Sequence, residues 1–250
     1  MQRYFVQEFP NEEGLFTISG EDAHHMANVM RMQADSAFIA VFKNKTAAAC
    51  RIVKLDKLKV LCCAENYLEH SPELPVNVSI AHGLPKGDKF ELVIQKSTEL
   101  GAYSLIPFLA ARSIVKWDEK KGSKKVDRWN KITKEAAEQS HRLHLPQVEK
   151  PQPFNELLKT AESFDSIIVA YEEQAKQGDL SSFAKALGAV SHGQSILVVV
   201  GPEGGLSEKE VNQLEEIGAV SCGFGPRILR SETAPLYALA AISYQFELMR

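Results

Sequence analysis

Apolar and polar positions alternate in short runs over residues 3–68. RYFVQEF, GLFTISG, AFIAVFKN, AAACRIVKL and KVLCCAENYL are separated by turn-forming or charged residues. Period-two alternation of this kind predicts short strands, and such small β modules often close into barrels. One helical stretch, EDAHHMANVMRM, interrupts them. EHSPELP, over residues 69–75, carries two prolines and little to bury, so it marks a boundary between domains 1–72 and 73–250.

Beyond residue 76 the rhythm changes to strands alternating with helices. VNVSIAHGL predicts a strand, KGDKFELVIQKSTELG an amphipathic helix stopped at Gly101, and YSLIPFLAARSIV another strand. A polar helix then runs over about 124–144, up to Pro146. FNELLKTAE (helix), DSIIVAYEE (strand) and DLSSFAKAL (helix) follow. Next come a strand ending in VVV, a helix over 207–217, the strand AVSCGFG, and a final helix over about 233–248. The alternation predicts an α/β domain with a parallel sheet covered by helices on both faces. The final helix is apolar nearly all round, from Leu236 to Leu248, where a surface helix should show a single stripe. It is therefore either a central core helix or a contact to a second subunit.

The stretch VVVGPEGGLSEKE, residues 198–210, holds the densest candidate chemistry. β-branched residues lead into a glycine-rich turn, and Ser207 with Glu210 has capping-box spacing, so the order is strand, loop, helix. The loop lacks the Lys-Ser/Thr of a Walker A motif and the glycine spacing of a dinucleotide fold, which argues against an NTPase or an ordinary nicotinamide enzyme. What remains is a pocket of backbone groups between apolar walls, suited to a flat, mostly neutral ligand such as an adenosyl group, or else a structural turn. A second loop, FGPRILRSETA over 224–234, adds polar groups. Its arginines could hold a phosphate or a carbonyl oxygen and Glu232 could act as a base. An Arg–Glu ion pair beside a helix capped by Ser231 would use the same residues.

Charge sharpens the picture only when divided along the chain. The net charge is −3, yet residues 76–150 hold 14 Lys+Arg against 9 Asp+Glu. Arg112, Lys116, Lys120, Lys121, Lys124, Lys125, Arg128, Lys131 and Lys134 form a basic run that encloses Trp117 and Trp129. Phosphate neutralisation with an occasional stacking ring is one use for it, and a solvated helix face is another. Cys50, Cys62, Cys63 and Cys222 show no C-x-x-C spacing, which favours buried free thiols over a metal site. No apolar run is long enough to span a bilayer and no signal peptide is evident, so the cytoplasm is expected.

Four blocks taken together, KGDKFELVIQKSTELG, EAAEQSHRLHLP, GPEGGLSEKE and GPRILRSETA, resemble the bacterial 16S ribosomal RNA (uracil-N3)-methyltransferases of the knotted SPOUT superfamily. RYF at residues 3–5 and HHMANVMR at 24–31 agree as well. Ala34 departs from an expected glycine, and Ser231 replaces the commoner threonine while keeping its hydroxyl. The resemblance implies an N-terminal PUA-like β-barrel that helps bind RNA, then a SPOUT domain whose C-terminal segment forms a deep trefoil knot. It also implies S-adenosylmethionine as cofactor, no metal, a homodimer, and a uridine in the decoding region of 16S rRNA on the 30S subunit as substrate. Carried onto this chain, it makes Arg230 the candidate for stabilising negative charge on the uracil oxygens, with Glu232 or Glu203 as base or orienting carboxylate. The cofactor would lie against Glu172, Val199, Val200, Gly201, Pro202, Glu203, Gly204, Gly205, Phe224, Gly225, Ile228, Leu229, Ser231, Thr233 and Ala234. RNA would meet Arg3, His25, Arg31, Arg112, Lys116, Lys124, Arg128 and Arg142. A packed histidine is the other use for His25.

Overall fold

A computed structural model describes residues 1–56, 59–115, 117, 119–173 and 181–249. The chain divides into two compact units, one of Met1–Glu73 with Ala137–Leu145 and the other of Leu74–Ala136 with Pro146–Arg250.

In the first unit the alternating stretches become β1 (Arg3–Phe5), β2 (Leu15–Ser19), β3 (Ala37–Val41), β4 (Ala47–Leu55) and β5 (Lys59–Tyr67). They form one sheet in the order β1-β3-β4-β5-β2, with β1 parallel to β3 and the other pairs antiparallel. The result is a PUA-like half-barrel rather than a closed one, since its pairings run from β1 to β2 without joining them. A helix, α1 (Glu21–His24), continues into a π turn over His25–Val29. Phe16, Ile18, Met26, Phe38 and Ile52 fill the core with Tyr4. Cys50 and Cys62 lie in that core, where burial pushes both thiols up to about 12, while Cys63 points to the other side and is half-buried. At the turn before β3 it is Asp35, not Ala34, that takes the left-handed conformation (φ 67), so no glycine is needed at 34.

The division differs from a single cut at 72/73 in two respects: Glu73 and residues 137–145 belong to the first unit. The helix α3 (Glu119–Gln139) also ends earlier than its polar pattern suggested. His141 takes a left-handed conformation (φ 63), which a helix cannot continue through, and the next residues wrap around Glu73. The Arg142 guanidinium donates from Nε and Nη2 to the Glu73 carboxylate, with Nη2 at 2.6 Å. Glu73 Oε1 also accepts the backbone N–H groups of Leu143 (2.7 Å) and His144 (3.0 Å).

The second unit holds β6 (Asn77–Gly83), α2 (Lys89–Glu99), β7 (Ser104–Leu109), β8 (Gln147–Val148), β9 (Gln152–Pro153) and α4 (Phe154–Ala161). Then follow β10 (Ser166–Ala170), α5 (Ser182–Gly188), β11 (Ser195–Val200), α6 (Glu208–Glu216), β12 (Val220–Cys222) and α7 (Ala234–Ser243). Asp179 and Leu180, part of a predicted helix, lie outside the described residues. The strands run in the order β12-β10-β11-β6-β7-β8, with β9 also on β7, and every pairing is parallel. The longer strands β6, β7, β10 and β11 bury both faces. Val78, Ile80, Val198 and Val200 point to one core with Ala238 and Ile242 of α7, and Leu197, Val199 and Phe108 to a second core with Leu157 of α4 and Leu214 of α6. Alternation along β11 therefore sends Val199 away from Val200.

α7 buries Ala234, Ala238, Leu239 and Ile242 against its own sheet, and the π turn that follows it buries Phe246. Tyr237, Tyr244 and Leu248 remain exposed, so the chain covers only one side of an element apolar all round.

Candidate active site

Parallel strands leave their carboxyl ends free for ligands, and the two loops meet there. The glycine loop leaves β11 at Gly201 and turns so tightly that a Cβ on Gly201 would stand 2.8 Å from both the carbonyl carbon of Gly205 and the nitrogen of Leu206. Gly205, at φ 70, donates its N–H to Pro202 O at 2.8 Å and closes the turn. The predicted capping box is present: Ser207 Oγ accepts the Glu210 N–H, and Glu210 Oε2 accepts the Ser207 N–H at 2.8 Å. Glu210 is buried, and its second oxygen accepts the N–H of Ala111 at 2.8 Å. That bond fixes the turn after β7 and brings Arg112 over the loop, where Nη1 donates to Gly204 O at 3.1 Å. Capping-box spacing signals one of these roles and is silent on the other.

The arginine loop follows β12, two strands away from β11 across β10. It closes in a turn in which Arg230 O accepts the N–H groups of Thr233 and Ala234. Ser231 is not the helix cap that its position suggested. Thr233 occupies that place, without a side-chain bond, and Ser231 Oγ donates instead to Glu232 Oε2 at 3.2 Å. His82, at the end of β6, lies beneath the loop and is fully buried, with Nδ1 2.7 Å from Gly83 O and Nε2 2.9 Å from Ser231 O. Burial lowers its pKa, which favours the neutral ring with one N–H to donate.

Between the loops lies a cleft of about 860 Å³. Glu172, Val200, Gly201, Pro202, Glu203, Gly204, Gly205, Phe224, Gly225, Ile228, Leu229, Arg230, Ser231, Glu232 and Ala234 all line it, as do Lys89, Arg112, Arg227 and Asn212. Two residues picked from sequence do not. The Val199 side chain packs in the core on the α4 face, and Thr233 stands outside the lining.

Lys89, missed in the sequence, bridges the loops: its ammonium is 3.2 Å from Glu203 Oε1 and 3.4 Å from Glu232 Oε2. Glu203 Oε1 also accepts the Lys86 N–H. Partial burial pushes both carboxyls up, but hydrogen bonds from their own backbone N–H groups, together with Lys89 and, for Glu203, Lys86, outweigh it and hold them below the usual carboxylate range. The same two carboxylates raise Lys89. A lysine on the polar side of an amphipathic helix gives no periodic signal of its own, and its partners lie far away in sequence.

The residues expected at RNA divide into two groups. Lys124 is exposed, as are Arg31 and Arg128, the last paired with Glu91 at 2.7 Å. Arg142 is 2 % exposed and spent on Glu73, and Arg3 is buried, with Nη1 on Arg142 O, so both are structural rather than surface groups. His25 is a packed histidine, its Nδ1 3.0 Å from Tyr4 Oη. Trp129 is no stacking platform either, being buried against Phe90 and Trp117. Lys116 lies outside the described residues. Among these, no cluster of His, Cys, Asp or Glu suits a metal ion, and no helix is long and apolar enough to cross a membrane.

Comparison with known proteins places this geometry. Residues 72–243 match the RNA methyltransferase domain family, and residues 18–62 match the RNA methyltransferase PUA domain. The chain is 51% identical to ribosomal RNA small subunit methyltransferase E of Bacillus subtilis, covering 100% of this chain and 99% of the relative. A crystal structure of the corresponding Neisseria gonorrhoeae enzyme bound to S-adenosyl methionine superposes with a TM-score of 0.83 at 28% identity, covering 98% of each chain. A putative Legionella pneumophila methyltransferase, also solved with that cofactor, gives 0.78 at 25% identity over 97% of each. Two domain matches in the right order and a full-length relative at this identity leave one conclusion: the chain belongs to the ribosomal RNA small subunit methyltransferase E family.

Proposed function

We propose that this enzyme methylates N3 of one uridine in the decoding region of 16S rRNA, on the 30S subunit in the cytoplasm, with S-adenosylmethionine as methyl donor. The observation that carries the reading is the meeting of the glycine and arginine loops in one cleft with Arg230 and two ionised carboxylates at its edge. The cleft fits the cofactor by a test internal to this chain. The turn at Gly201 and Gly204 packs its own backbone and Arg112 where side chains would stand, which keeps the loop low at the cleft edge, and apolar groups from Val200, Phe224 and Leu229 wall the space. Relatives crystallised with the same cofactor support it.

Bound there, S-adenosylmethionine supplies a methyl group on a sulfonium, already activated for in-line transfer. The chain must do the rest. Uracil N3 lies between two carbonyls and carries a proton, so it becomes nucleophilic only as negative charge spreads onto both oxygens. Arg230 is placed to stabilise that charge. The N3 proton goes to one of the two carboxylates of the cleft, Glu203 or Glu232, while the other orients the loops and Arg230; against the raising effect of burial, both are held below the usual carboxylate range by hydrogen bonds from their own backbone N–H groups, with Lys89 contributing.

The exposed apolar side of α7 supports a homodimer in which a second copy covers Tyr237 and Tyr244. The course of the arginine loop, from β12 at the sheet edge back to His82 on β6, supports a knotted C-terminal segment. Exposed Lys124 and Lys125 support an RNA-facing basic flank.

Mass spectrometry of 16S rRNA from a strain lacking the gene tests the reading. Purified protein and methyl donor are expected to restore a single N3-methyluridine, and a methyl group on another atom or another RNA would overturn it. In the same assay Arg230→Ala is expected to lower turnover about 100-fold, the scale for losing one charge-stabilising donor, with cofactor affinity nearly unchanged. Equal losses in both would remove Arg230 from the oxyanion role.

A further inference from the structure

Lys89 is the first residue of α2, where a cation faces the positive end of the helix dipole. A lysine there works against its own helix, so its use must lie elsewhere. The ammonium sits between Glu203 of the glycine loop and Glu232 of the arginine loop, within ion-pair distance of both. Neither loop contributes the cation. The tie comes from a third segment, residues 86–89, whose Lys86 N–H holds Glu203 from the same side at 3.2 Å. His82, on the strand that leads into this segment, meets the arginine loop at Ser231 O.

We propose that Lys89 is a positioning residue that clamps the two loops through Glu203 and Glu232 and thereby sets Arg230 against the bound uracil. The proposal rests on the cofactor and substrate assignment made above. Arg230 lies two residues before Glu232, and the turn between them is fixed by Arg230 O accepting the Thr233 and Ala234 N–H groups, so pinning Glu232 pins Arg230. With Lys89 neutral or absent, two carboxylates would face each other across the cleft without their shared cation. Repulsion would part the loops or draw a proton onto one acid. Cofactor binding depends chiefly on the glycine turn, which is closed by its own hydrogen bonds, and is disturbed much less. Lys89 touches neither reacting atom in this scheme.

The test uses the full-length protein with S-adenosylmethionine and 30S subunits, comparing Lys89→Gln, Lys89→Arg, Glu232→Gln and the double variant Lys89→Gln/Glu232→Gln. Lys89→Gln is expected to lower kcat about 10- to 100-fold, the scale for losing a charge-assisted bond, while the calorimetric cofactor Kd changes less than about threefold. Its acid limb should move to higher pH, because Glu203 and Glu232 no longer have the ammonium that holds their protons off. Lys89→Arg should recover most of the activity, and the double variant should be no worse than Lys89→Gln alone. A kcat unchanged in Lys89→Gln overturns the clamp, as does cofactor affinity falling in step with kcat, or losses that multiply in the double variant. Wild-type protein run alongside separates the two ideas: if it transfers no methyl group to the subunit, the function assignment fails, whereas active wild type with an indifferent Lys89→Gln rejects the clamp alone.

Discussion

Alanine at Gly201 is expected to weaken S-adenosylmethionine binding about 100-fold while leaving the protein folded. The added Cβ would stand 2.8 Å from two backbone atoms on the far side of the turn and 3.0 Å from the Gly205 Cα. None of these belongs to a flexible side chain that could swing aside. The two limbs of the turn must separate, and the bond from Gly205 N–H to Pro202 O is the first casualty. Overpacking of this kind costs about 1–3 kcal/mol, equivalent to roughly 5- to 150-fold in affinity even if the strain were merely taken up on binding. Because the displaced atoms border the cleft proposed for the cofactor, the upper end is expected. Gly188 provides the matched control: it ends α5 with a helical conformation, and nothing lies within 4 Å of its missing Cβ. Gly188→Ala should bind normally and melt at the same temperature or slightly higher. Calorimetric titration of both variants decides the matter, and a Gly201→Ala protein with unchanged Kd would mean that the cofactor does not sit on this turn.

The contrast between these glycines illustrates what sequence does and does not reveal. A glycine-rich turn after a run of valines is visible, and so is its sequel in a capping box, because both are local: every partner lies within a few residues. The parallel sheet was legible for the same reason, since each strand and helix announces itself by its own period. What escaped depends on distant partners. Lys89 reaches Glu203 and Glu232, more than a hundred residues on, and nothing in KGDKFEL distinguishes it from Lys96, whose ammonium is used within its own helix on Glu99. The motif sets Val199 beside Val200 as a cofactor contact, but two-residue alternation along the strand sends the two to opposite faces. Ser231 looked like a cap because it precedes a helical run by a suitable distance. The turn closed on Arg230 O moves the helix start to Ala234 and frees the hydroxyl for Glu232. Trp129 drew attention as an aromatic among lysines, yet helical spacing hides it against Phe90 while its charged neighbours point outward.

Arg142 is the sharpest case of a charged residue whose role reverses on folding, and its removal carries the other large expected effect. The family resemblance makes it an RNA contact, but in the first unit it is 2 % exposed and paired through two nitrogens with Glu73. Arg142→Ala leaves Glu73 partly buried on the backbone N–H groups of Leu143 and His144 without its guanidinium, and breaking a buried pair from one side costs about 3–5 kcal/mol. Removing the arginine should therefore destabilise the first unit severely, and exchange protection of the Leu143 and His144 amides should fall together with it. The pH dependence follows from the direction of the Glu73 shift. Burial raises its pKa, but the Arg142 hydrogen bonds and charge, with the Leu143 and His144 N–H groups, more than offset this and leave it below its usual 4.5. A carboxyl lowered on folding adds stability that is fully present above its unfolded pKa and is lost as pH falls through the folded one. Wild type should accordingly lose stability in acid below pH 4.5, while Arg142→Ala, already without that contribution, should show a flatter profile there. Replacing both partners, as Glu73→Leu with Arg142→Met, should recover part of the loss, since no charge is then left buried alone. Urea melts of the three variants between neutral and acid pH measure all of this. If Arg142→Ala instead melts like wild type but loses affinity for 30S subunits, the guanidinium serves RNA after all, and the burial around Glu73 is not what holds residues 137–145 in place.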